Sequence, residues 1–372
     1  MARHYLDHAS TSPARPEVVE AMRPWLSFAA DPGRVHTEGR QSRGAVEQAR
    51  EQLAFLLGAR PREVVFTSGA TEAIVAAVWG ATEHRHHVVV PAVEHSAVRD
   101  GSAAFGEVTE VGVDGLGRVD PDAVLDAIRP GETALVHVQW ANHEVGTLQP
   151  VAEVVAGCRA RGALTHVDAA CAAGHAPIDF HALGADLLSV SAHKLGGPQG
   201  VGALLVRRGL RLRPLLLGGE QERSRRAGTE NVAGIVGFGA AAAVLSGAAA
   251  LDGETARARA QTEGLLAVAT AVDGVVAYGD VVDRVPHIAC LGVAGVEAEA
   301  VLLGLDQAGI AAHSGSACSS ESLEPSPVLA AMGVEAERSL RLSVGWSTTD
   351  DDVEAFRKAF PAVVGRLRSL RA

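Results

Sequence analysis

Short apolar runs alternate with helix-patterned stretches over residues 16–206 of this 372-residue chain, and this alternation is what most limits the folds open to it. Strands are read at 63–66, 88–91, 107–113, 133–139, 163–167, 185–190 and 201–206, where Val, Ile, Leu and Ala cluster between turn residues. Helical spacing predicts helices over 16–25, 44–57 and 72–79, from 96 onward, and over 121–128 and 151–161. A strand–helix–strand succession needs crossover connections. It therefore predicts an α/β fold with a mostly parallel sheet, whose reactive groups gather at the carboxyl ends of the strands. Aromatic residues make up 4% of the chain against 47% hydrophobic, which suits small side chains packing helices closely on such a sheet.

After an Ala- and Gly-rich helix at 232–250 the pattern changes. Helices are read at 252–271, 297–308, 327–331 and 350–370, with strands at 275–278, 287–291, near 310 and at 339–344. The expected division is a large domain over 14–251 and a smaller α/β domain over 252–372, with residues 1–13 packing on the latter. The net charge of −11 and the lack of a basic tract argue against direct nucleic-acid binding. No uncharged apolar run is as long as a membrane span and no apolar leader opens the chain, so a cytoplasmic protein without a membrane role is expected. The four cysteines show no C-x-x-C pair and the fifteen histidines are scattered, so neither a disulfide framework nor a metal site is indicated.

The chemistry concentrates in a few turns. Ser191-Ala192-His193-Lys194 follows the apolar run 185–190 and opens the glycine-rich turn 196–200. A lysine in such surroundings loses hydration, which lowers its pKa towards that of an amine nucleophile able to form a Schiff base with pyridoxal phosphate. Ser68-Gly69-Ala70-Thr71 ends one strand and starts a helix, where free backbone N–H groups and the helix dipole favour a phosphate. Asp168 also closes a strand. An Asp there can cap a helix or ligate magnesium; with a Schiff-base lysine downstream it reads better as the partner of a protonated pyridine nitrogen. His95 and Asn142 lie at two further strand ends. Cys318 sits among Ser and Gly residues that would leave its thiol accessible, whereas Cys158 and Cys290 read as buried and inert.

These stretches, in this order, closely resemble the cysteine desulfurases of the NifS and IscS kind, pyridoxal-phosphate enzymes of the class V aminotransferase superfamily. Tyr5-Leu6-Asp7, Glu94-His95, Asn142 with Glu144-Val145-Gly146, His166-Val167-Asp168, Arg226-Ala227-Gly228-Thr229-Glu230-Asn231 and Arg341-Leu342-Ser343-Val344-Gly345 extend the likeness over nearly all of the chain. Ser314-Gly315-Ser316-Ala317-Cys318 with Leu323-Glu324-Pro325-Ser326 is similar to the long-loop group I. The resemblance implies a fold type I transferase that forms a homodimer with active sites at the interface. It implies that Lys194 carries the cofactor, Asp168 pairs with its pyridine nitrogen, and His95 stacks on its ring and moves protons. Ala70, Thr71, Ser191 and His193 would hold the phosphate, and Thr229 would reach the phosphate in the other subunit. Asn142 and Arg341 would bind L-cysteine, Arg341 through its carboxylate. Cys318 would take the sulfur as a persulfide and pass it to an acceptor protein, an iron–sulfur scaffold or a thiolation enzyme among the candidates. A selenocysteine or cysteine lyase, an aminotransferase, and a non-catalytic scaffold of the same family are the alternatives.

Three stretches depart from the family pattern. Residues 30–34 read Ala-Asp-Pro-Gly-Arg in place of Gly-Asn-Pro-Ser-Ser, Glu220 interrupts a run of glycines, and Cys171 stands where a glutamine usually donates a hydrogen bond to the cofactor's phenolic oxygen. A thiol is a much poorer donor. Cys171 is therefore expected to alter the acid–base behaviour of the bound cofactor without preventing its binding. Titrating the cofactor's absorption against pH in the natural protein and in Cys171→Gln tests this; superimposable curves would remove the idea.

Overall fold

The computed structural model describes residues 3–247, 249–314 and 326–370. Its strands, in chain order, are β1 (His4–Tyr5), β2 (Val64–Thr67), β3 (His87–Pro91), β4 (Glu107–Val111), β5 (Thr133–Gln139), β6 (Leu164–Asp168), β7 (Leu187–Ser191), β8 (Gly202–Val206), β9 (Val275–Tyr278), β10 (Ile288–Val293), β11 (Ile310–Ala311) and β12 (Ser339–Ser343). Strands β2 to β8 make one sheet in the order β2-β8-β7-β6-β5-β3-β4. All neighbours from β7 to β4 run parallel, and β8 lies antiparallel between β7 and β2.

The near-continuous apolar runs follow from burial on both faces. Leu187 and Leu188 are adjacent in β7 and go to opposite sides. Leu188 joins Val46 and Leu53 of the helix Thr37–Leu56 and Phe238 of the helix Val232–Leu245. Leu187 joins Ile74 and Val78 of the helix Ala70–Ala81 and Val98 of the helix Ser96–Phe105.

Several helix boundaries differ from the sequence reading, among them the helix expected over 232–250, which ends at Leu245, and two more have a plain physical reason. The helix expected over 44–57 begins at Thr37, capped by the ring of His36, which accepts from the Gly39 N–H at 3.2 Å. Its polar first turns carry no apolar repeat, and histidine is not among the usual cap residues. The helix expected over 16–25 ends at Met22 and tightens into a 3₁₀ turn over Arg23–Leu26, where Pro24 supplies no amide for the α-helical ladder.

A second sheet, in the order β12-β10-β9, is antiparallel. The helices Ala250–Thr270 and Asp350–Ser369 cover it around a core that includes Leu265, Leu291, Leu340, Phe356 and Phe360. The start of the chain joins this unit: β1 pairs in parallel with β11, and Leu6 is part of the same core.

One buried ion pair steadies the β2 edge, from which the Ser68-Gly69 turn departs. Arg50 donates through Nη1 and Nη2 to the two carboxylate oxygens of Glu222, both at 2.7 Å, and to the Val64 carbonyl at 2.9 Å. Glu222 also accepts from the Phe66 N–H at 2.9 Å. Glu222, Arg223 and Ser224 take three consecutive left-handed backbone conformations, costly for residues other than glycine, and this carboxylate pins the first of them. Arg50→Leu would leave the Glu222 charge buried without its partner. Such a change is expected to lower stability by about 3–5 kcal/mol, read as a fall in the urea midpoint, with the double variant Arg50→Leu, Glu222→Leu recovering most of it.

Candidate active site

The carboxyl ends of β5, β6 and β7, the start of the helix Ala70–Ala81, the N-terminal segment and β12 enclose a cavity of about 610 Å³. Lys194 lies on its wall, in a 3₁₀ turn over Ala192–Leu195 that follows β7 directly. Its Nζ donates to the carbonyl of Ala9. Burial holds the ammonium below its ordinary pKa, and the nearby Arg341 pushes the same way against Cys171, Asp168 and Asp7. The amine is therefore easier to deprotonate than a surface lysine.

Asp168 closes β6 and lines the cavity. Its Oδ1 accepts from the Ala170 N–H at 2.9 Å and the Ser189 hydroxyl at 3.3 Å, and Oδ2 takes no hydrogen bond from the described residues. Ser191, His193 and Cys171 line the same space. Burial raises the Cys171 thiol's pKa, so the group stays protonated, although Lys194 opposes the shift.

The helix Ala70–Ala81 has no side-chain cap, so the N–H groups of its first turn, at Ala70 and Thr71, are left for a ligand. Gly202 on β8 allows this turn to sit where it does: a Cβ there would fall 2.5 Å from the carbonyl carbon of Gly69. Glu72, an acid in that first turn, is neutralised by Arg226, whose Nε and Nη2 donate to its two oxygens at 2.9 and 3.2 Å.

His95 caps the helix Ser96–Phe105, its Nδ1 accepting from the Ala97 N–H at 3.1 Å. That bond puts the ring proton of the neutral form on Nε2. Burial first, then the His143 ring packed edge-on at 5.1 Å, lower its pKa to about 4. The ring is neutral at physiological pH.

Arg341 reaches the cavity from β12. Nη1 donates to the His143 carbonyl at 2.9 Å and Nη2 to Asp7 Oδ1 at 3.0 Å, while the buried Nε has no partner among the described residues. Nη1 and Nη2 each keep a second N–H beyond these bonds, and a buried guanidinium of that kind lining the cavity suits an anionic ligand.

Asn142 is not brought to the cavity. Its Oδ1 accepts from the N–H groups of Glu144 and Val145 at 2.8 and 2.9 Å, and its Nδ2 donates to the Val93 carbonyl at 3.2 Å, so the amide is spent on the turn after β5. Thr229 is exposed and also lies outside the cavity. Cys318 lies outside the described residues. Of its described flanks, His313 lines the cavity, and Ser326 donates to Glu144 Oε2 at 2.5 Å.

Sequence reasoning missed His143, Gln199 and His313, which share the cavity wall with Thr11 of the polar N-terminal segment. His143 adjoins Asn142 in a turn already singled out. Gln199 and His313 carried no signal beyond neighbouring a motif.

A phosphorylated pyridine aldehyde fits this set of groups. The cavity offers open helix N–H groups for a phosphate, a carboxylate oxygen free for a ring N–H, and a desolvated amine for a carbonyl.

Comparison with known proteins agrees with the geometry. The family model described as "Aminotransferase class-V" matches residues 4–356. The "Cysteine desulfurase" of Trichormus azollae is 44% identical over 379 residues, covering 98% of this chain and 94% of that protein. Among solved structures, the NifS-like protein from Rickettsia africae superposes with a TM-score of 0.90 at 30% identity, covering 98% and 99% of the two chains. A structure described as "SspA in complex with cysteine" does so with a TM-score of 0.78 at 30% identity, covering 92% and 98%. The chain belongs to the class-V aminotransferase family, among its cysteine desulfurases.

Proposed function

We infer that this chain is a pyridoxal-phosphate-dependent cysteine desulfurase, which removes sulfur from L-cysteine, leaves L-alanine and hands the sulfur on. The observation that carries the reading is the meeting of Lys194, Asp168 and the Arg341 guanidinium in one cavity with an uncapped helix start.

Bound pyridoxal phosphate supplies an electron sink that lets the α-carbon of an amino acid give up a proton. The chain's own residues do the rest. Ala70 and Thr71 offer backbone N–H groups to the phosphate, with Ser191 and His193 beside them. Asp168 receives the ring N–H, and Cys171 stands nearby as a weak donor. Arg341, held by Asp7 and the His143 carbonyl, orients the substrate carboxylate. Neutral Lys194 takes the α-proton, and His95, with Nε2–H available, moves a proton on the ring side.

Cys318 then acts as nucleophile. Its thiolate attacks the substrate sulfur, the carbon–sulfur bond breaks as the sulfur–sulfur bond forms, the carbon keeps the bonding pair and is protonated to leave L-alanine, and the persulfide is delivered to an acceptor protein such as an iron–sulfur scaffold or a thiolation enzyme. Thr229, on a loop tied to the helix start through Arg226, completes the phosphate site of a second copy in a homodimer. This division of labour works in the cytoplasm, where thiols stay reduced.

The test uses cysteine labelled with radioactive sulfur. Cys318→Ala is expected to keep the cofactor's absorption and to lose protein-bound label almost completely. Cys318→Ala releasing sulfur at the natural rate would overturn the role given to the cysteine. Arg341→Ala is expected to lower kcat/KM for cysteine about 100-fold or more, since it removes a buried charge-assisted contact worth roughly 3 kcal/mol.

A further inference from the structure

Three histidines that the proposed reaction does not use gather behind Lys194, each from a different part of the chain. His175 follows β6 on the large sheet, His287 immediately precedes β10 on the small one, and His8 belongs to the N-terminal segment. The rings of His175 and His287 stack at 3.5 Å with 16° between their planes. Nε2 of His175 donates to the backbone carbonyl of Lys194 at 3.3 Å, which assigns the ring proton to that nitrogen. The lysine is thus held at both ends, its carbonyl by His175 and its amine by the Ala9 carbonyl, one residue after His8.

The other two histidines are tied in as well. The His287 carbonyl accepts from the Val344 N–H at 3.0 Å, just past β12, the strand that carries Arg341. His8 Nδ1 bonds the Ser12 hydroxyl at 2.9 Å, and its ring occupies the place a Cβ on Gly345 would take, 2.1 Å away. The Nδ1 of His287 is buried without a partner among the described residues. Two aromatic rings without charge could be supplied by phenylalanine. The stack uses histidine, and one of its nitrogens reaches the lysine backbone.

We propose that the stacked pair His175–His287 positions Lys194, joining the lysine turn on the large sheet to the β10–β12 pair that carries Arg341. The small unit then sets the substrate-binding arginine and the reactive amine together, because Arg341 lies on β12 and His287, just before the adjoining β10, stacks on the ring that bonds the lysine backbone. The charges facing the pair are few. Lys194, Arg15 and Glu254 face His175, while Lys194, Arg341 and His8 face His287, and Asp352 faces His8. Desolvation lowers the pKa of His175 and of His8 to about 4 and that of His287 well below its ordinary value, so at neutral pH the rings add no positive charge beside the amine. Acid that protonates them would set cations against Lys194, Arg15 and Arg341 and open the stack.

The inference rests on Lys194 being the cofactor-bearing lysine, and its test reads the amine directly. The chain contains two lysines, Lys194 and the exposed Lys358, so an amine-acylating reagent has an internal reference. The full-length protein, freed of cofactor, is pulse-labelled with acetic anhydride across pH 6–10, and the Lys194 to Lys358 ratio is read by mass spectrometry. His175→Phe keeps a ring and loses the donor, His287→Leu keeps bulk and loses the stack, and His175→Gln restores a donor. In the first two, an amine released towards water is expected to reach half its limiting labelling at a pH about one unit higher; His175→Gln should return most of the shift. Profiles of His175→Phe and His287→Leu that superimpose on the natural protein's would overturn the proposal whatever their melting temperatures, and either variant alone decides the matter if the other does not fold. Loss of the cofactor's absorption in the natural protein is the separate failure, that of the cofactor reading.

Discussion

The arrangement depends on keeping one cationic side chain out of water. A lysine amine prefers solvent, and here Lys194 is held instead at the end of β7, where the Ala9 carbonyl accepts a hydrogen bond from it. Everything needed to keep it there comes from separate parts of the chain. The N-terminal segment supplies the carbonyl, the large sheet supplies the turn, and the antiparallel sheet places Arg341 opposite. The cost of desolvating the amine is met by the packing of all three, and the outcome is a nucleophile that gives up its proton readily.

The same logic governs the acids and rings around it. Asp168 commits one oxygen to local hydrogen bonds and leaves the other open, so its orientation is set without saturating the group. His95 spends Nδ1 on capping a helix, which fixes both its tautomer and the direction of Nε2. Arg341 is gripped at Nη1 and Nη2, and each of these keeps a second N–H. Each functional group has one part anchored to the scaffold and one part available, which is how a site remains ordered before any ligand arrives.

Much of this was legible in the sequence because strand ends in a parallel sheet converge by topology alone. Lys194, Asp168 and His95 could be assigned to one locus from the order of apolar runs, and Ala70 and Thr71 from the strand-to-helix turn. Asn142 sat at an equally good strand end, yet its amide closes its own turn. That distinction lies in side-chain direction, which an apolar pattern does not encode. His143, its neighbour, faces the cavity instead. The pairing of Glu72 with Arg226 and of Arg50 with Glu222 joins residues more than 150 positions apart, and no local spacing announces either. The stack of His175 on His287 is hidden for the same reason.

The most direct measurement of the central claim is to locate the cofactor on the chain. The protein is saturated with pyridoxal phosphate, reduced with borohydride to make the attachment permanent, digested, and mapped by mass spectrometry. Stoichiometric modification of Lys194 with Lys358 left free is the predicted result. Modification of Lys358 alone, or of neither lysine in a protein that still retains the cofactor's absorption, would contradict the account.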